Sequence, residues 1–230
     1  MPIIQLNQGE IHLWSAWFSA HDATPYRALL SEDEIRRADR FIVDKVREHF
    51  IIGRGILRTL IGRYVGIAPE TLKFNFSERG KPAINHPIIC FNLSHSADLL
   101  MLAIINDAEI GVDVEHIRPM REMRSVAHDN FSAQEFSTWE RLPEAKKQSA
   151  FYTIWTRKEA YIKATGDGFR LPLKSFTVSH DSPPRFLHMD DDDINRWSLY
   201  EPETATDYAG AICTTQVDAI LMHFHYEPPS

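Results

Sequence analysis

Two carboxylates one residue apart, Asp113 and Glu115, lie in the stretch Ile110-Gly111-Val112-Asp113-Val114-Glu115. The alternation reads as a strand, in which side chains change faces with period two. Val112 and Val114 then point into a core, and Asp113 and Glu115 share the opposite face. Adjacent carboxylates repel unless a cation lies between them or water screens them, and Gly111 lets something approach the backbone. The polar outer face of an edge strand would give the same pattern. A second stretch runs from Trp155 to Lys163, Trp-Thr-Arg-Lys-Glu-Ala-Tyr-Ile-Lys. At helical spacing Tyr152, Trp155, Glu159 and Ile162 form one stripe, so Glu159 is a carboxylate on an otherwise apolar face. Burying an unpaired charge is costly, and Lys163, one turn on, is the expected partner. A plain surface Glu–Lys pair, worth about 0.3–0.5 kcal/mol, is the alternative. The third stretch, Asn92-Leu93-Ser94-His95-Ser96, is a polar cluster at the end of an apolar run. His95 there suits donation to a phosphate or a satisfied structural role.

Taken together, Asp113, Glu115 and Glu159 are hard oxygen ligands. They suit Mg²⁺, which is held by a few carboxylates with water and substrate phosphates completing the octahedron. The chemistry this predicts is metal-assisted phosphoryl transfer. No His and Cys set has zinc spacing, and Ser94 and Ser96 stand in no Gly-x-Ser-x-Gly elbow.

The elements that must position these residues are α and β in both halves. Strands are predicted at Ile11–Trp17, Thr71–Phe76, Ile88–Leu93, Leu99–Ile105, Ile110–Glu115, Ser175–Ser179, Trp197–Tyr200, Tyr208–Thr214 and Ala219–His225. Helices are predicted to start near Thr24-Pro25 and at Ser31, and to cover Val46–Val65 and Phe151–Thr165. Ser31 with Glu34, and Ser132 with Glu135, fit the capping box. Glu135 is therefore read as a helix cap. Gly53 and Gly55 inside the first long helix predict close packing there. Turns are expected at Ser77–Pro82 and Asn106-Asp107, a solvated turn over the acidic run Asp190–Asp193, and a frayed tail over Glu227–Ser230. Phe50–Gly62 and Phe151–Gly166 resemble each other, each followed by a strand, at a domain-sized offset of about 100 residues. This predicts an α+β fold of two pseudo-symmetric halves, 1–112 and 113–230, each a small sheet packed with helices, with the site at their interface.

The bulk properties narrow the partners. The 230 residues, 43% hydrophobic, suffice for a full core, and a net charge of −7 argues against a general nucleic-acid binder. Residues 36–63 are locally positive, with Arg36, Arg37, Arg40, Lys45, Arg47, Arg54, Arg58 and Arg63 against Asp39, Asp44 and Glu48. That favours a small anionic ligand. Cys90 and Cys213 form no redox or metal signature. No stretch approaches the roughly 20 apolar residues of a membrane span, and no secretory signal is visible, so a cytoplasmic location is expected.

At these residues the sequence resembles the Sfp-type 4′-phosphopantetheinyl transferases. The family pattern Gly-(Ile/Val)-Asp-(Ile/Val)-Glu stands as Gly111–Glu115, and Trp-x-x-Lys-Glu-(Ala/Ser)-x-x-Lys as Trp155–Lys163. Asn92–Ser96, the Gly80-Lys81-Pro82 turn, and Phe131-Ser132 with Glu135 complete five motifs in order over roughly residues 30 to 180. The resemblance implies coenzyme A as donor, an apo acyl or peptidyl carrier protein as acceptor, and release of adenosine 3′,5′-bisphosphate. It implies Asp113, Glu115 and Glu159 as Mg²⁺ ligands, and Arg37, Lys81, Ser94, His95 and Lys163 as coenzyme A ligands. The catalytic set it implies is Asp113, Lys163 and Glu159, the last as general base directly or through water. Glu34 stands where some relatives carry a second basic residue. Gly166–Leu173 is a plausible carrier contact, and a monomer is expected. Another Mg²⁺-dependent phosphoryl-transfer enzyme or hydrolase, or a coenzyme A or carrier-binding module without turnover, would share parts of the pattern.

Overall fold

Two helices of equal length, placed 100 residues apart, set the plan of the molecule. The computed structural model describes residues 3–76, 81–166 and 171–228. The first half runs β1 (Glu10–Trp17), α1 (Ala23–Arg27), α2 (Glu32–Ala38), α3 (Asp44–Val65), β2 (Phe74–Phe76), β3 (Pro82–Ile84), β4 (Ile89–Ser96) and β5 (Leu99–Asn106). The second runs β6 (Ile110–His116), α4 (Met123–Asn130), α5 (Ala133–Glu140), α6 (Glu144–Thr165), β7 (Phe176–Val178), β8 (Phe186–Met189), β9 (Ser198–Tyr200), β10 (Tyr208–Thr214) and β11 (Ile220–His225). Both long helices span 22 residues and end on a left-handed glycine, Gly66 at φ 69° and Gly166 at φ 73°, a backbone region glycine enters freely.

The sheets repeat the same order. One is β11-β1-β5-β4, the other β6-β10-β9. β1, β5 and β4 pair antiparallel, and so do β6, β10 and β9. The hairpins β2-β3 and β7-β8 also correspond. In each half a capped short helix sends a buried carboxylate to a cation on the long helix. Glu34 meets Arg58 at 2.7 Å, and Glu135 meets Lys158 at 2.8 Å. Both capping boxes form as the sequence predicts. The fold is α+β with two pseudo-symmetric halves.

Three apolar clusters hold these layers. α3 packs on the first sheet through Ile56, Leu60, Leu100 and Leu102. α6 packs on the second through Ile154, Ala160, Ala211 and Cys213. The third cluster lies between the sheets and joins Ile11, Leu13, Met101, Ile105, Val112, Val114 and Ile212. β5 is buried along its whole length because its alternate residues serve the first and third clusters. Val112 and Val114 do enter a core, the one between the halves.

Close approaches explain the predicted glycines. A Cβ on Gly55 would lie 2.4 Å from the Tyr26 ring, and one on Gly53 would lie 3.3 Å from Leu100. One on Gly111 would lie 2.1 Å from the Ala160 carbonyl oxygen. What approaches the Gly111 backbone is therefore α6.

Several local expectations are corrected. β4 continues through Ser96, so the Asn-Leu-Ser-His-Ser stretch is strand. α6 starts at Glu144, after Pro143, rather than at Phe151. Asp192 in the acidic run is no solvated turn residue, since it accepts from the Tyr161 hydroxyl at 2.7 Å and the Trp197 indole at 2.6 Å. The last strand, β11, returns to the first sheet and pairs parallel with β1. The half-boundary placed between 112 and 113 falls inside β6. Of the turn at Ser77–Pro82, the loop Gly166–Leu173 and the tail Glu227–Ser230, residues 77–80, 167–170 and 229–230 lie outside the described residues. Among the described residues no helix is long and apolar enough to cross a membrane.

Candidate active site

β4 and β6 meet along the seam without a backbone ladder, and polar side chains bridge them. Asn92, Ser94 and Ser96 alternate along β4, so their side chains share one side of the strand. The Val112 N–H donates to Asn92 Oδ1 at 2.9 Å, and the His116 N–H donates to Ser96 Oγ at 3.1 Å. Ser94 Oγ donates to Asp113 Oδ1 at 3.0 Å, and Ser96 Oγ to Glu115 Oε2 at 2.7 Å. The sequence stretch that looked like a phosphate cluster thus also fastens the two halves.

Asp113 and Glu115 occupy the β6 face that looks toward α6, the face Gly111 opens to that helix. Asp113 is only 3% exposed. Its Oδ1 accepts from Lys163 Nζ at 2.6 Å, and the same ammonium donates to Ser94 Oγ at 2.8 Å. The predicted partner of Glu159 is therefore taken by Asp113. A buried carboxylate gains more from the ammonium than a half-exposed one, and the last turn of α6 brings Lys163 over β6. The stripe reading of α6 is corrected too. The helix buries residues on most of its circumference, with Arg157 and Lys158 among them, while Glu159 stays partly exposed and lines a cleft.

That cleft has a volume of ≈ 890 Å³, within the range of about 300–1,000 Å³ typical of small-ligand sites. Glu159, Lys163, Ser94, His95, Lys81 and Arg37 all line it. Lys81 donates to the carbonyls of Ile110 and Lys163, which ties the first half to the end of α6. His95 stands edge-on to the Phe18 ring at 5.6 Å. Arg37 sits at the other end, on α2, over the ring of Phe50. Sequence reasoning missed His49, Phe50 and Arg54, which also line the cleft. Their signal was the locally positive stretch combined with the 50, 53, 57 spacing on one face of α3.

The electrostatics favour a cation at the carboxylates. Burial pushes Asp113 up from the ordinary carboxylate range, although Lys163 and Ser94 oppose it. Burial also raises Glu115 against the Ser96 hydrogen bond, with Asp113 adding to the rise. Glu159 is raised by burial and then by Asp113, with Lys163 opposing. Burial lowers His95 and Lys81. Three coupled carboxylates face one ammonium, and Asp113 Oδ2 is buried with no hydrogen-bond partner. Among the described residues no three His, Cys, Asp or Glu side chains form a ready metal cage. An orphaned carboxylate oxygen with two further carboxylates nearby nevertheless fits an ion that takes few protein ligands.

Comparison with known proteins places the chain. Residues 109–213 match the family model described as the 4′-phosphopantetheinyl transferase superfamily, and residues 14–106 match its N-terminal counterpart, "4′-phosphopantetheinyl transferase, N-terminal". The 4′-phosphopantetheinyl transferase HetI of Nostoc sp. is 39% identical over 173 residues, covering 73% of each chain. The chain belongs to the 4′-phosphopantetheinyl transferase superfamily. A 4′-phosphopantetheinyl transferase of Bacillus subtilis is 31% identical over 70% of each chain. The transferase Sfp of Bacillus subtilis strain 168 is 29% identical over 66% of this chain and 67% of its own. In this phosphopantetheinyl transferase the two matched segments meet at the turn between β5 and β6. Asn92–Ser96, Gly111–Glu115 and the Lys163 end of Trp155–Lys163 converge on the seam, whereas Phe131 and Glu135 turn into the core of the second half.

Proposed function

We propose that the enzyme transfers 4′-phosphopantetheine from coenzyme A to a serine of an apo acyl or peptidyl carrier protein. The observation that carries this reading is the Lys163–Asp113–Ser94 cluster with its orphaned carboxylate oxygen, whose Lys163 and Ser94 line a cleft walled by cations. The carrier serine oxygen attacks the phosphorus that bears pantetheine. The bond from that phosphorus to the adenosine-side phosphate breaks, and adenosine 3′,5′-bisphosphate leaves. Glu159 takes the serine proton directly or through a water, a role helped by the burial that raises its pKa. Lys163 places its ammonium where the transferred phosphoryl develops charge, and Asp113 and Ser94 fix that ammonium. Ser94, His95, Lys81 and Arg37 are the further ligands for the donor.

Asp113, Glu115 and Glu159 would hold Mg²⁺, which when bound neutralises pyrophosphate charge and lowers the barrier to in-line displacement. One copy of the chain builds the whole cleft, which supports action as a monomer.

The deciding experiment incubates the protein with Mg²⁺, coenzyme A and a panel of apo carrier proteins, then weighs the carriers. A phosphopantetheinyl mass gain on serine is expected. Free nucleotide without that gain would indicate a hydrolase, and binding without product would indicate a module that has lost turnover.

A further inference from the structure

The last four carbonyls of an α-helix have no N–H partner within the helix. At the end of α6 the first of them, Ile162 O, accepts from the Gly166 N–H at 3.2 Å. The next, Lys163 O, is met from the other half of the molecule. Lys81, immediately before β3, donates from Nζ to Lys163 O, and from the same nitrogen to Ile110 O at 3.2 Å. One ammonium of the first half thus holds two backbone carbonyls of the second, one on α6 and one at the start of β6. A cation at a helix C-terminus also meets the negative end of the helix dipole. Burial lowers the Lys81 pKa, so the charged form relies on these acceptors.

The two carbonyls flank the place where α6 comes nearest β6. Gly111 follows Ile110, and a Cβ on it would lie 2.4 Å from the Ala164 nitrogen and 2.9 Å from the Lys163 carbonyl carbon. Gly111 permits the approach, and Lys81 fastens it. The fastened residue is Lys163, whose own Nζ reaches Asp113 Oδ1 at 2.6 Å and Ser94 Oγ at 2.8 Å. Lys163 is therefore held at both ends, its carbonyl by Lys81 and its ammonium by Asp113 and Ser94. We propose that Lys81 is a positioning residue, whose ammonium clamps the last turn of α6 to β6 and so sets where Lys163 delivers its charge. This inference rests on the transfer reading above, and it gives Lys81 a task beyond contact with the donor. The two tasks separate in kinetics. Loss of a donor ligand raises the KM for coenzyme A, whereas loss of alignment lowers kcat.

The test is K81M, which keeps the stem and removes every donor, followed by carrier loading and by amide hydrogen exchange. A displacement of about 1 Å near the reacting groups costs on the order of 100-fold, so kcat should fall about ten- to hundredfold while the KM for coenzyme A changes far less. Amides in the last turn of α6 and the Gly166 N–H should exchange faster than in the wild type, with those closing α3 unchanged. K81R keeps N–H donors and should recover most of kcat. K81Q carries the same comparison should K81M fail to fold. Wild-type kcat in the variant would overturn the proposal, whether or not its KM rises. So would a lowered kcat with exchange in α6 unchanged, which would put the ammonium in the chemistry itself. A wild-type protein that loads no carrier would instead overturn the transfer reading. The exchange comparison needs neither donor nor carrier, and it decides the clamp in that case too.

Discussion

Gly111→Ala tests whether the approach of α6 to β6 sets the active site. The added Cβ would lie 2.1 Å from the Ala160 oxygen, 2.4 Å from the Ala164 nitrogen and 2.9 Å from the Lys163 carbonyl carbon. All three are backbone atoms, so no side chain can swing aside. The contact to Ala160 must open to about 3.0 Å, a retreat of roughly 0.9 Å. Overpacking of this kind costs about 1–3 kcal/mol. For a chain this size that lowers Tm by about 2–4 °C per kcal/mol. The larger effect falls on catalysis. Lys163 reaches Asp113 at 2.6 Å across this contact, and a displacement of about 1 Å at a reacting group costs on the order of 100-fold in rate. Mass-spectrometric carrier loading should therefore show kcat reduced about 100-fold, with a folded circular-dichroism spectrum. Ile61→Ala, in the core of the first half, serves as the control. It should lose about 2–5 kcal/mol of stability while keeping kcat below its melting temperature. If Gly111→Ala lost stability but kept kcat within a few-fold of wild type, the close approach would not be what aligns Lys163.

Two further outcomes follow from buried charge. Asp113, Glu115 and Glu159 are raised by burial, so their stabilising contribution is present at low pH and lost as pH rises through their folded pKa values. Without divalent cations, thermal stability should fall from mildly acidic to neutral pH, Asp113→Asn should flatten that fall, and Mg²⁺ should raise the melting temperature of the wild type at neutral pH but not that of Asp113→Asn. A wild-type stability that climbs over this interval would contradict the argument. Glu135→Leu strands the fully buried Lys158 ammonium and should cost about 3–5 kcal/mol in urea unfolding, whereas Glu135→Leu with Lys158→Met should recover most of it; equal losses would refute the pairing as the cause.

The sequence was most informative where a rule acts over a few residues. Both capping boxes, the face of Val112 and Val114, and the tight glycines follow from local spacing. Glu159 and Lys163 show its limit. Helical spacing names them neighbours, yet the ammonium goes to Asp113, because depth of burial belongs to the assembled seam. The same holds for Asn92, Ser94 and Ser96. Their period is visible, but that they replace a missing ladder depends on where the sheets meet. Glu135 looked complete as a cap, and its second task, neutralising Lys158, spans 23 residues of chain. The repeat contained the hint, since Glu34 and Arg58 form the same pair in the first half. Arg54 was counted among the positive charges of its stretch, but only the fold shows that Glu34 is diverted from it.

The parallel pairing of β1 with β11 also has a mechanical consequence. Six residue pairs, Glu10 with Ile220 through Ser15 with His225, join the strand that opens the fold to the one that closes it. Tension applied through the residues before β1 and after β11 would pull these strands past each other along their length. Their hydrogen bonds would share the load together instead of parting one at a time, as they would in a peeling hairpin. When the enzyme is tethered at both ends, the cleft is therefore shielded behind a shear lock.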